Sequence, residues 1–446
     1  MLHLLDRSIL TQPPERAAKI IRALPPSLQQ SRKRNALRRT LNLAASQSTF
    51  YRRKFSSHQI DIARVQSPGD LGDLFTTAED LWNTPPEELV CAAPQLAFET
   101  AGTSGKNKRL FFRYDEFDLT ARRAALLFPW LGIRPEDRVL NAFDFSFWFP
   151  GYFMQRILPY TGTFSITVGK IDPIEVYRRM EDYHFTVIMG EPTWMVQLTE
   201  IAEQQGKAYP LRLIVGSGEM LTERARSWIE KSWQTIFLMA YASVDAGTSI
   251  GIECRNKQGY HLNDSDLYVE IINSDKEGYG EVVFTTLTRT TMPLIRYRTK
   301  DIARFIEEPC PCGRPGLRLS KIIGRADEMV VFGGGNIHPS FFETIFREIP
   351  EITEDWQVAV RHRGVKEVLE FRLELKEDGV AGEPISERVR KVIEAGYPDM
   401  WRNYVKGMYD IGFVYHAKNT LREKRKLRRL VDEREEIAPN LGASKD

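Results

Sequence analysis

The feature that most restricts the fold is an alternation of short apolar segments with helical segments between residues 138 and 240. The apolar segments predict strands at residues 139–143, 185–189, 211–215 and 236–240. Segments with apolar residues at helical spacing, such as 173–183 and 223–233, lie between these strands. Because strands that alternate with helices form a mostly parallel sheet covered by helices, the sequence predicts an α/β fold.

The flanking regions have different patterns. Residues 16–24 and 32–45 carry apolar residues at helical spacing, which predicts two helices. Residues 248–305 contain short apolar runs between turn residues, which predicts a mainly antiparallel sheet. Beyond residue 327 the pattern predicts strands at 329–332, 357–360, 367–375 and 412–416, helices at 340–348 and 386–395, and a basic C-terminal helix. We therefore predict a large N-terminal domain (residues 1–326) with mixed parallel sheets and a β-rich subdomain, and a small mobile α+β C-terminal domain (residues 327–446).

Composition excludes some classes of protein. The 62 basic and 60 acidic residues nearly cancel, so bulk charge gives no reason to expect nucleic acid or an anionic membrane as a partner. No apolar run approaches the roughly 20 residues that span a bilayer, and residues 1–16 lack the pattern of a signal peptide. Four cysteines in 446 residues argue against a disulfide scaffold and fit a reducing cytoplasm.

Residues 100–106, with the sequence Thr-Ala-Gly-Thr-Ser-Gly-Lys, have the composition of a phosphate-binding loop. Small residues let backbone N–H groups approach phosphate oxygens, and the hydroxyls and the lysine add donors and charge. The spacing of the glycines differs from the Walker pattern. A flexible hydroxyl-rich turn is the alternative interpretation.

Two stretches near the predicted domain boundary indicate a nucleotide. Residues 293–301 begin with apolar residues and are predicted to deliver Asp301 at the end of a strand. Residues 324–327 place Arg325 and Asp327 just ahead of another apolar strand. Carboxylates at strand ends often hold vicinal hydroxyls, as in ribose recognition. The alternative for the first carboxylate is a salt bridge with Arg296, Arg298 or Lys300.

Together with the loop at residues 100–106, these stretches resemble the acyl-adenylate-forming superfamily and, within it, the phenylacetate–CoA ligase family, over nearly the whole chain. The resemblance implies that the loop contacts the β- and γ-phosphates of ATP through Thr100, Gly102, Thr103, Ser104, Gly105 and Lys106. The family has a proline where this chain has Asn107. It also implies that Asp301 holds the ribose and that Arg325 reaches the ribose or the phosphate. Asp327 (or Ala326) is then the hinge on which the small domain rotates.

The resemblance extends to the rest of the nucleotide pocket. After the predicted strand at 211–215, a glycine-rich turn would line adenine with the backbone of Ser217, Gly218 and Glu219, although an ordinary strand-to-helix turn has the same composition. The next segment matches the family pattern Tyr-Gly-x-Thr-Glu, in which the tyrosine stacks on adenine and the carboxylate helps to hold Mg²⁺. This chain has Tyr241, Ala242, Ser243, Val244 and Asp245 at these positions. The missing threonine hydroxyl and the shorter carboxylate are expected to change the reaction rate and the geometry of the Mg²⁺ site.

The basic tail at residues 418–432 admits three interpretations. It is a solvated amphipathic helix with an apolar stripe, a nucleic-acid patch, or the segment that carries the catalytic lysine of the superfamily. The stripe would consist of Leu427, Leu430 and Val431. The family pattern Gly-Lys-x-x-Arg-Val-x-Asp, anchored on Arg429 and Asp432, places the lysine at Lys426; Arg425 replaces the glycine, and Lys424 is a rival. A cation there would align the attacking carboxylate with the α-phosphate and offset charge in the transition state.

Three of the four cysteines and one histidine have the spacing of metal ligands. Cys310 and Cys312 form a Cys-x-Cys knuckle, and Cys254 and His261 lie seven residues apart in a predicted hairpin. Four protein ligands would complete a tetrahedral zinc site and leave no position for a reactive water, so the predicted role is structural. The alternative is a set of unrelated buried thiols. Cys91 stands alone.

Residues 143–152 are unusually aromatic and follow a predicted parallel strand, where the family has its acyl pocket. The predicted walls of this pocket are Phe143, Phe145, Trp148 and Trp194. Aromatic walls favour an aromatic or flat apolar acid, and plain core packing is the alternative. No cation for the substrate carboxylate is evident in this region, which leaves that role to Lys426.

The resemblance therefore implies an acid–thiol ligase that uses MgATP to make an acyl adenylate and passes the acyl group to coenzyme A. The glycine-rich residues 333–336 would give the pantetheine arm a narrow path. Two other functions stay open: transfer to a carrier-protein thiol or an amine, and non-catalytic nucleotide binding. The departures at Val244, Asp245 and Arg425 motivate the second of these. A homodimer is one option for the oligomeric state.

Overall fold

The N-terminal segment is helical where the spacing of its apolar residues predicts helices. The structure, a computed structural model, describes residues 12, 14–100, 108–219, 221–326, 330–332, 335–337, 339–363, 366–377, 382–405, 407, 409–422 and 427–434. The first helices are α1 (Pro14–Ala23), α2 (Pro26–Gln47) and α3 (Thr49–Ser57). Leu37, Leu41 and Ala44 are fully buried, and their spacing forms the apolar stripe by which α2 packs on the core.

The chain divides into two units. The first comprises residues 1–221 and 225–321, and the second comprises residues 222–224 and 322–446. The main division thus falls at residue 321, near the predicted domain boundary at residue 326. Among the residues that the structure describes, no helix is both long and apolar enough to cross a membrane.

The chain continues through short 3₁₀ turns and a series of helices and strands. The turns are Ile62–Arg64, Pro68–Leu71 and Leu158–Tyr160. The helices are α4 (Ala78–Asn83), α5 (Pro86–Leu89), α6 (Tyr114–Ala125), α7 (Phe128–Leu131), α8 (Phe149–Ile157), α9 (Pro173–Tyr177), α10 (Met180–Tyr183), α11 (Pro192–Gln204) and α12 (Glu223–Trp233). The strands are β1 (Leu96–Thr100), β2 (Lys108–Phe112), β3 (Arg138–Asn141), β4 (Phe164–Thr167), β5 (Val187–Gly190), β6 (Leu213–Ser217), β7 (Phe237–Ser243), β8 (Thr248–Glu253), β9 (Tyr260–Leu262), β10 (Leu267–Ile272), β11 (Gly280–Thr286), β12 (Tyr297–Ala303), β13 (Phe305–Ile306) and β14 (Arg318–Leu319).

A nine-stranded sheet forms the centre of the first unit. Its strand order is β13-β14-β9-β8-β7-β6-β5-β3-β4, with β4, β3, β5, β6 and β7 parallel and the others antiparallel. Every residue of β5 and β6 is buried, as expected of parallel strands that are covered on both faces. The predicted α/β fold with a largely parallel sheet is confirmed.

The second sheet of this unit is antiparallel, with β11 between β10 and β12. Together with the antiparallel strands β8 and β9, it agrees with the pattern predicted for residues 248–305. Asp301 was expected at the end of a strand, but it lies within β12. The reason is that Gly280 of β11 pairs with Ala303, so the ladder continues past Asp301.

One predicted helix is interrupted. Residues 173–183 form α9 and α10 rather than a single helix. The N–H group of Arg179 donates to the carbonyl oxygen of Val176, three residues earlier (2.9 Å), which tightens the chain into a turn between the two helices.

The second unit has its own sheet and core. Its elements are β15 (Gly324–Arg325), β16 (Val330–Phe332), β17 (Gly335–Ile337), α13 (Pro339–Arg347), β18 (Ile352–Arg363), β19 (Lys366–Leu375), α14 (Gly382–Gly396), α15 (Pro398–Val405), β20 (Tyr409–His416) and β21 (Leu430–Asp432). The main sheet has the order β20-β19-β18-β21, with an antiparallel central pair and parallel outer pairs. Phe342, Phe371 and Val389 are fully buried in a core that joins α13 and α14 to this sheet. This is the α+β arrangement that the sequence predicts.

The prediction of a basic C-terminal helix is wrong for the described residues 427–434. Residues 430–432 form β21, which pairs in parallel with residues 358–360 of β18. Leu430 is fully buried, Val431 is half-buried and Asp432 is exposed. The helical stripe of Leu427, Leu430 and Val431 therefore does not form, because pairing with β18 outweighs the helical preference of the basic residues.

Candidate active site

The strands β3, β5, β6 and β7 are parallel, so their carboxyl ends meet at one edge of the nine-stranded sheet. Open α/β sheets bind their ligands at this edge. The predicted acyl segment at residues 143–148 follows β3, the turn at 216–219 ends β6, and the segment at 241–245 ends β7. The structure therefore places these predicted segments at a common edge.

The turn after β6 is held on both sides. Gly218 has a φ of +89°, a left-handed conformation that glycine adopts without strain. The Ser217 hydroxyl donates to the carbonyl oxygen of Ala240 in β7 (2.9 Å). The carboxylate of Glu219 accepts from the hydroxyl of Thr193 and from its N–H group (3.1 Å), at the start of α11. These bonds fix the turn in place, so its backbone is preorganised to face a ligand.

Asp245 lies in a buried cluster of polar side chains just after β7. Its Oδ2 atom accepts from Lys108 Nζ (2.9 Å) and from the Ser243 hydroxyl (3.0 Å), and Lys108 also donates to the Tyr297 hydroxyl (2.7 Å). Its Oδ1 atom is buried and has no hydrogen-bond partner among the described residues. A buried oxygen in this state costs free energy, and a hard cation such as Mg²⁺ would satisfy it. The donor set of Asp245 therefore fits the predicted ion.

A buried cation, Arg289, supports the Asp245 turn. Its Nη1 atom donates to the carbonyl oxygen of Asp245 (2.7 Å), and its Nη2 atom donates to that of Phe111 (3.1 Å). The guanidinium lies 4.3 Å from the centre of the Phe112 ring. Burial lowers the pKa of Arg289 to about 10, so the side chain is still charged at pH 7. Arg289 thus anchors the turn to β2.

Tyr241 and Asp301, predicted to contact adenine and ribose, lie next to each other. The Tyr241 hydroxyl donates to Asp301 Oδ2 (2.5 Å), which joins β7 to β12. The three basic neighbours of Asp301 in the sequence are bonded to other carboxylates: Arg296 to Glu270, Arg298 to Glu281 and Lys300 to Glu79. The alternative interpretation of Asp301, a salt bridge with one of these residues, is therefore wrong.

The predicted phosphate loop connects the two strands of a hairpin. Thr100 and Lys108 pair at the open end of the ladder between β1 and β2. Gly102, Thr103, Ser104, Gly105 and Lys106 lie outside the described residues. The Thr100 hydroxyl is buried and has no hydrogen-bond partner among the atoms that the structure describes. Because Lys108 bonds to Asp245, the base of this hairpin is joined to the polar cluster.

The predicted acyl-pocket residues have different environments. Phe143 and Trp194 are fully buried, and Trp194 Nε1 donates to the carbonyl oxygen of Ile171 (2.8 Å). Phe145 and Trp148 are only half-buried. The first pair therefore contributes mainly to the core, whereas the second pair retains ring surface that a ligand can contact.

An ion pair at the same edge was not predicted. Lys170 follows β4 and bonds to Glu191, the first residue after β5. The Glu191 side chain is 1% exposed and that of Lys170 is 32% exposed. A Cβ atom on Gly169 would lie 3.3 Å from the Phe145 ring, so Lys170 directly follows a residue that packs on the acyl segment. The sequence showed no cation in this region, whereas the structure places Lys170 there.

The four predicted zinc ligands converge in the first unit. Their ligand atoms lie within 4.8 Å of one another, with 3.6 Å between the sulfurs of Cys254 and Cys310 and 3.3 Å between Cys312 Sγ and His261 Nε2. Burial lowers the pKa of His261 to about 4, so its imidazole is neutral at pH 7 and free to ligate. Three thiols and a neutral imidazole are a donor set that fits zinc. Cys91 is half-buried and lies apart from this cluster.

Several predicted residues of the second unit lie outside the described residues: the hinge Asp327, Gly333, Gly334, Lys424, Arg425 and Lys426. Arg325 lies in β15 and is half-buried. Residues 335–337 form β17. The structure thus describes the chain on either side of the predicted lysine, but not the lysine itself.

Two acidic side chains hold the chain before and after that lysine. Glu374 in β19 is buried and accepts from the N–H groups of residues 420 and 421 (3.1 Å each). Asp355 in β18 accepts from Arg422 (2.6 and 2.8 Å) and lies 3.7 Å from Arg429. Burial alone would raise the pKa of Asp355, but the two guanidiniums hold it below its usual range. We refer to Glu374 and Asp355 as the acidic clasp.

Lys108, Arg289, Lys170 and the acidic clasp were not predicted from the sequence. Lys108 carried a signal, because it lies two residues beyond Lys106 at the end of the predicted loop. The others carried none, because each acts through a partner that is distant in the sequence. For example, Arg289 bonds to Phe111, 178 residues away.

Comparison with known proteins identifies relatives of this chain. It is 26% identical over 356 residues to the phenylacetate–coenzyme A ligase of Thermus thermophilus, covering 76% of this chain and 80% of that protein. It is 26% identical over 361 residues to the Escherichia coli protein of the same name, covering 77% and 82%. The solved structure of 2-hydroxyisobutyryl-CoA ligase in the postadenylation state matches with a TM-score of 0.78, at 19% identity over 92% of this chain and 91% of that chain. No protein-family model matches the chain.

These comparisons confirm the resemblance predicted from the sequence. The similarity to phenylacetate–coenzyme A ligases extends over about three quarters of the chain. At 19% identity, the match to the solved structure does not indicate a function. It confirms that the chain has the fold of that CoA ligase.

Proposed function

We propose that this relative of the phenylacetate–coenzyme A ligases activates a carboxylic acid with MgATP as an acyl adenylate and transfers the acyl group to coenzyme A. The observation that carries this proposal is the pair of polar contacts at the carboxyl edge of the sheet. The contact between Asp301 and Tyr241 supports a site for a nucleoside, and the contact between Lys108 and Asp245 supports a site for its phosphates. The similarity to named acid–thiol ligases supports the same reaction.

In the first step, a carboxylate oxygen of the acid attacks the α-phosphorus of ATP, and the bond from that phosphorus to the bridging oxygen breaks to release pyrophosphate. Asp301 holds the ribose hydroxyls, and Lys426 aligns the acid with the α-phosphate. In the second step, the sulfur of coenzyme A attacks the acyl carbon, AMP leaves with the carboxylate oxygen, and the thiol proton passes to solvent. Chemistry of this kind depends mainly on positioning and charge stabilisation.

Asp245 would hold the Mg²⁺ that accompanies ATP through the oxygen that lacks a partner among the described residues. When bound with ATP, this ion offsets charge on the phosphates. Lys108 and Ser243 fix the other oxygen, and Arg289 fixes the backbone of the turn. Val244 supplies no hydroxyl here, so the positioning of the phosphates depends on these neighbours.

We infer that the acid is aromatic or flat, because Phe145 and Trp148 offer ring surface at the carboxyl edge next to β3. Lys170, which bonds to Glu191, adds a charged donor next to the segment of Phe145, and a polar substituent on the acid would give its partly exposed ammonium a further acceptor. An aromatic acid with a hydroxyl or amino substituent would satisfy both features. We also propose that the enzyme is cytoplasmic, because its four cysteines form no disulfide and fit a reducing compartment.

Non-catalytic nucleotide binding is the second candidate function, favoured by the departures from the family pattern at Val244, Asp245 and Arg425. A carrier-protein thiol or an amine as acceptor would share the first step with the main proposal and differ only in the second.

The test is acid-dependent release of pyrophosphate from MgATP over a panel of aryl, hydroxyaryl, aminoaryl and aliphatic acids, with and without coenzyme A. Release with an aromatic acid, accelerated by coenzyme A, is the expected result. Release that coenzyme A does not change would identify another acceptor. Tight ATP binding without release for any acid of the panel would favour the binding protein.

Replacement of Asp301 by asparagine is expected to raise the KM for MgATP by about 10- to 100-fold. The change removes the charge that strengthens hydrogen bonds to the ribose, and a hydrogen bond to a charged group contributes roughly 1.5–3 kcal/mol. Steady-state kinetics with MgATP varied would measure the effect. The matched control is Asp73→Asn, because Asp73 is an exposed acid in the same unit. An unchanged KM for Asp301→Asn would remove this residue from the nucleotide site.

Removal of the metal is expected to destabilise the first unit. Zinc contributes roughly 10–16 kcal/mol to the folding free energy of small zinc fingers. If the metal here contributes a third of that amount, its loss would lower the Tm by about 10 °C. The measurement compares the metal content and thermal melting of wild-type protein with those of Cys310→Ser. Cys91→Ser is the matched control, because Cys91 lies outside the cluster. Purified wild-type protein without zinc, or equal melting of the two cysteine variants, would contradict the assignment.

A further inference from the structure

A cavity of about 220 Å³ lies beside the Cys/His cluster in the first unit. At roughly 30 Å³ for each water molecule in the liquid, it has room for about seven. Its walls are formed by Trp130, Leu131, Ile252, Glu253, Cys254, Arg255, Cys312 and Arg314. None of these residues belongs to the segments that we assign to ATP, the acid or coenzyme A. The cavity shares Cys254 and Cys312 with the metal cluster.

Two of the lining residues, Arg255 and Arg314, are cations without a counter-charge. In the part of the chain that the structure describes, neither guanidinium is bonded to a carboxylate or a carbonyl oxygen. Arg314 lies over the ring of Trp130, 5.3 Å from its centre. Arg314 is half-buried and Arg255 is exposed at the mouth of the cavity. A guanidinium that is partly removed from water without an acceptor, as at Arg314, loses hydration that nothing in the described residues replaces.

The neighbouring carboxylates are already engaged by other cations. The bonded pairs are Glu253 with Arg226 (3.1 Å), Asp137 with Arg212 (2.9 Å) and Asp264 with Lys33 (2.5 Å). Glu253, the carboxylate in the cavity wall, accepts a further hydrogen bond from the N–H group of Met239 (2.8 Å). Arg212 lies close to Arg255, since a Cβ atom on Gly132 would be 3.8 Å from the Nη1 atom of the former and 3.3 Å from the Nη2 atom of the latter. The local excess of positive charge is therefore not balanced by nearby acids.

The metal cluster balances only part of this excess. Zinc bound by three thiolates and a neutral imidazole would carry a net charge of −1, which is the sum of +2 and three charges of −1. This offsets one of the two guanidiniums and leaves one positive charge. The fork of donors on each guanidinium also suits the oxygens of phosphate and carboxylate groups better than sulfur.

We propose that this cavity binds a small oxyanion, a phosphate or a carboxylate, between Arg255 and Arg314. The site is separate from the nucleotide pocket and does not depend on the proposed ligase activity. The oxyanion would accept hydrogen bonds from both guanidiniums and thereby neutralise the charge that remains beside the cluster.

The test uses the full-length, zinc-loaded protein saturated with AMP, so that the nucleotide pocket is occupied. Inorganic phosphate and succinate are titrated separately by isothermal calorimetry in a buffer of low ionic strength. Arg255→Gln and Arg314→Gln are each expected to weaken binding of the preferred anion at least tenfold, with AMP affinity unchanged. Arg314→Lys keeps the positive charge but lacks the forked set of guanidinium donors. Its loss of anion affinity should therefore be smaller than that of Arg314→Gln. Arg52→Gln, at an exposed arginine of α3, is the matched control.

Tighter binding of phosphate than of succinate would identify a phosphate site, and the reverse would identify a carboxylate site. The absence of binding by either anion would overturn the proposal, as would equal affinities in the wild type and in both glutamine variants. If those variants lose zinc but no anion binds to the wild type, the two arginines only balance the charge of the thiolates, and the proposal is wrong. Zinc content and thermal melting, measured for each variant, separate loss of the fold from loss of the site.

Discussion

Replacement of Lys426 by alanine is expected to slow acid-dependent pyrophosphate release by about 100- to 1000-fold. A preorganised donor aimed at charge that develops in the transition state contributes roughly 2.7–4 kcal/mol. The first step develops such charge around the α-phosphate. The effect should fall on the rate constant and leave the affinity for MgATP nearly unchanged, because the variant retains Asp301 and Tyr241, the residues proposed to bind the nucleotide. Single-turnover release at saturating MgATP measures the rate constant directly.

The matched control for this prediction is Lys424→Ala. It removes the same charge two residues away and should retain activity within a fewfold of the wild type. A second control supplies preformed acyl adenylate and coenzyme A to Lys426→Ala, and thioester formation should continue, because the proposal assigns the lysine to the first step only. A larger loss for Lys424→Ala than for Lys426→Ala would reverse the assignment. Equal, small losses would remove both lysines from the chemistry.

Replacement of Asp245 by asparagine is expected to lower kcat by about 100-fold and to raise the Mg²⁺ concentration required for activity. The change removes the carboxylate oxygen that is available to a hard cation and leaves the ammonium of Lys108 without its charged partner. Metal-assisted charge stabilisation contributes several kcal/mol to such reactions. Breaking a buried ion pair costs roughly 3–5 kcal/mol, so a lower Tm is expected as well. Rates measured as a function of Mg²⁺ concentration, together with thermal melting, separate the two effects.

Asp245→Glu is the informative companion variant. It restores the longer carboxylate of the family pattern and keeps the charge beside Lys108, so activity should be retained or increased. If Asp245→Asn is as active as the wild type at low Mg²⁺, the carboxylate does not assist the metal. If Asp245→Glu is inactive, the buried cluster has been adjusted to the shorter side chain.

The parts of the fold that depend on local pattern were predictable. The strands β3, β5, β6 and β7 lie within a few residues of their predicted positions. Short continuous apolar runs between helical segments indicate buried strands of a parallel sheet, so their location could be read from the pattern. The convergence of the zinc ligands also followed from pattern, since Cys-x-Cys with a nearby Cys and His restricts geometry strongly. Tyr241 at the end of β7 and Asp301 in β12 were both predicted from short motifs, and the structure joins them by a hydrogen bond.

The parts that depend on distant partners were not predictable. The basic tail has the composition of a helix, but Leu430 fits into the core of the second unit only if the chain pairs with β18. The Lys170–Glu191 pair required knowledge that β4 and β5 end at the same edge of the sheet. Arg289 lies in a segment with no motif, and its role arises from the packing of β2 against the turn at Asp245.

The acidic clasp has a consequence for the stretch of chain that it spans. Thirteen residues (417–429) lie between β20 and β21, whereas six (423–428) lie between Arg422 and Arg429, the two arginines at Asp355. Because the entropy of closing a chain scales with three halves of the logarithm of its length, this shortening lowers the entropic cost of closing the stretch by about 0.7 kcal/mol. If Lys426 acts as proposed, substitution of Asp355 is therefore expected to slow pyrophosphate release, although Asp355 is assigned no contact with the substrate.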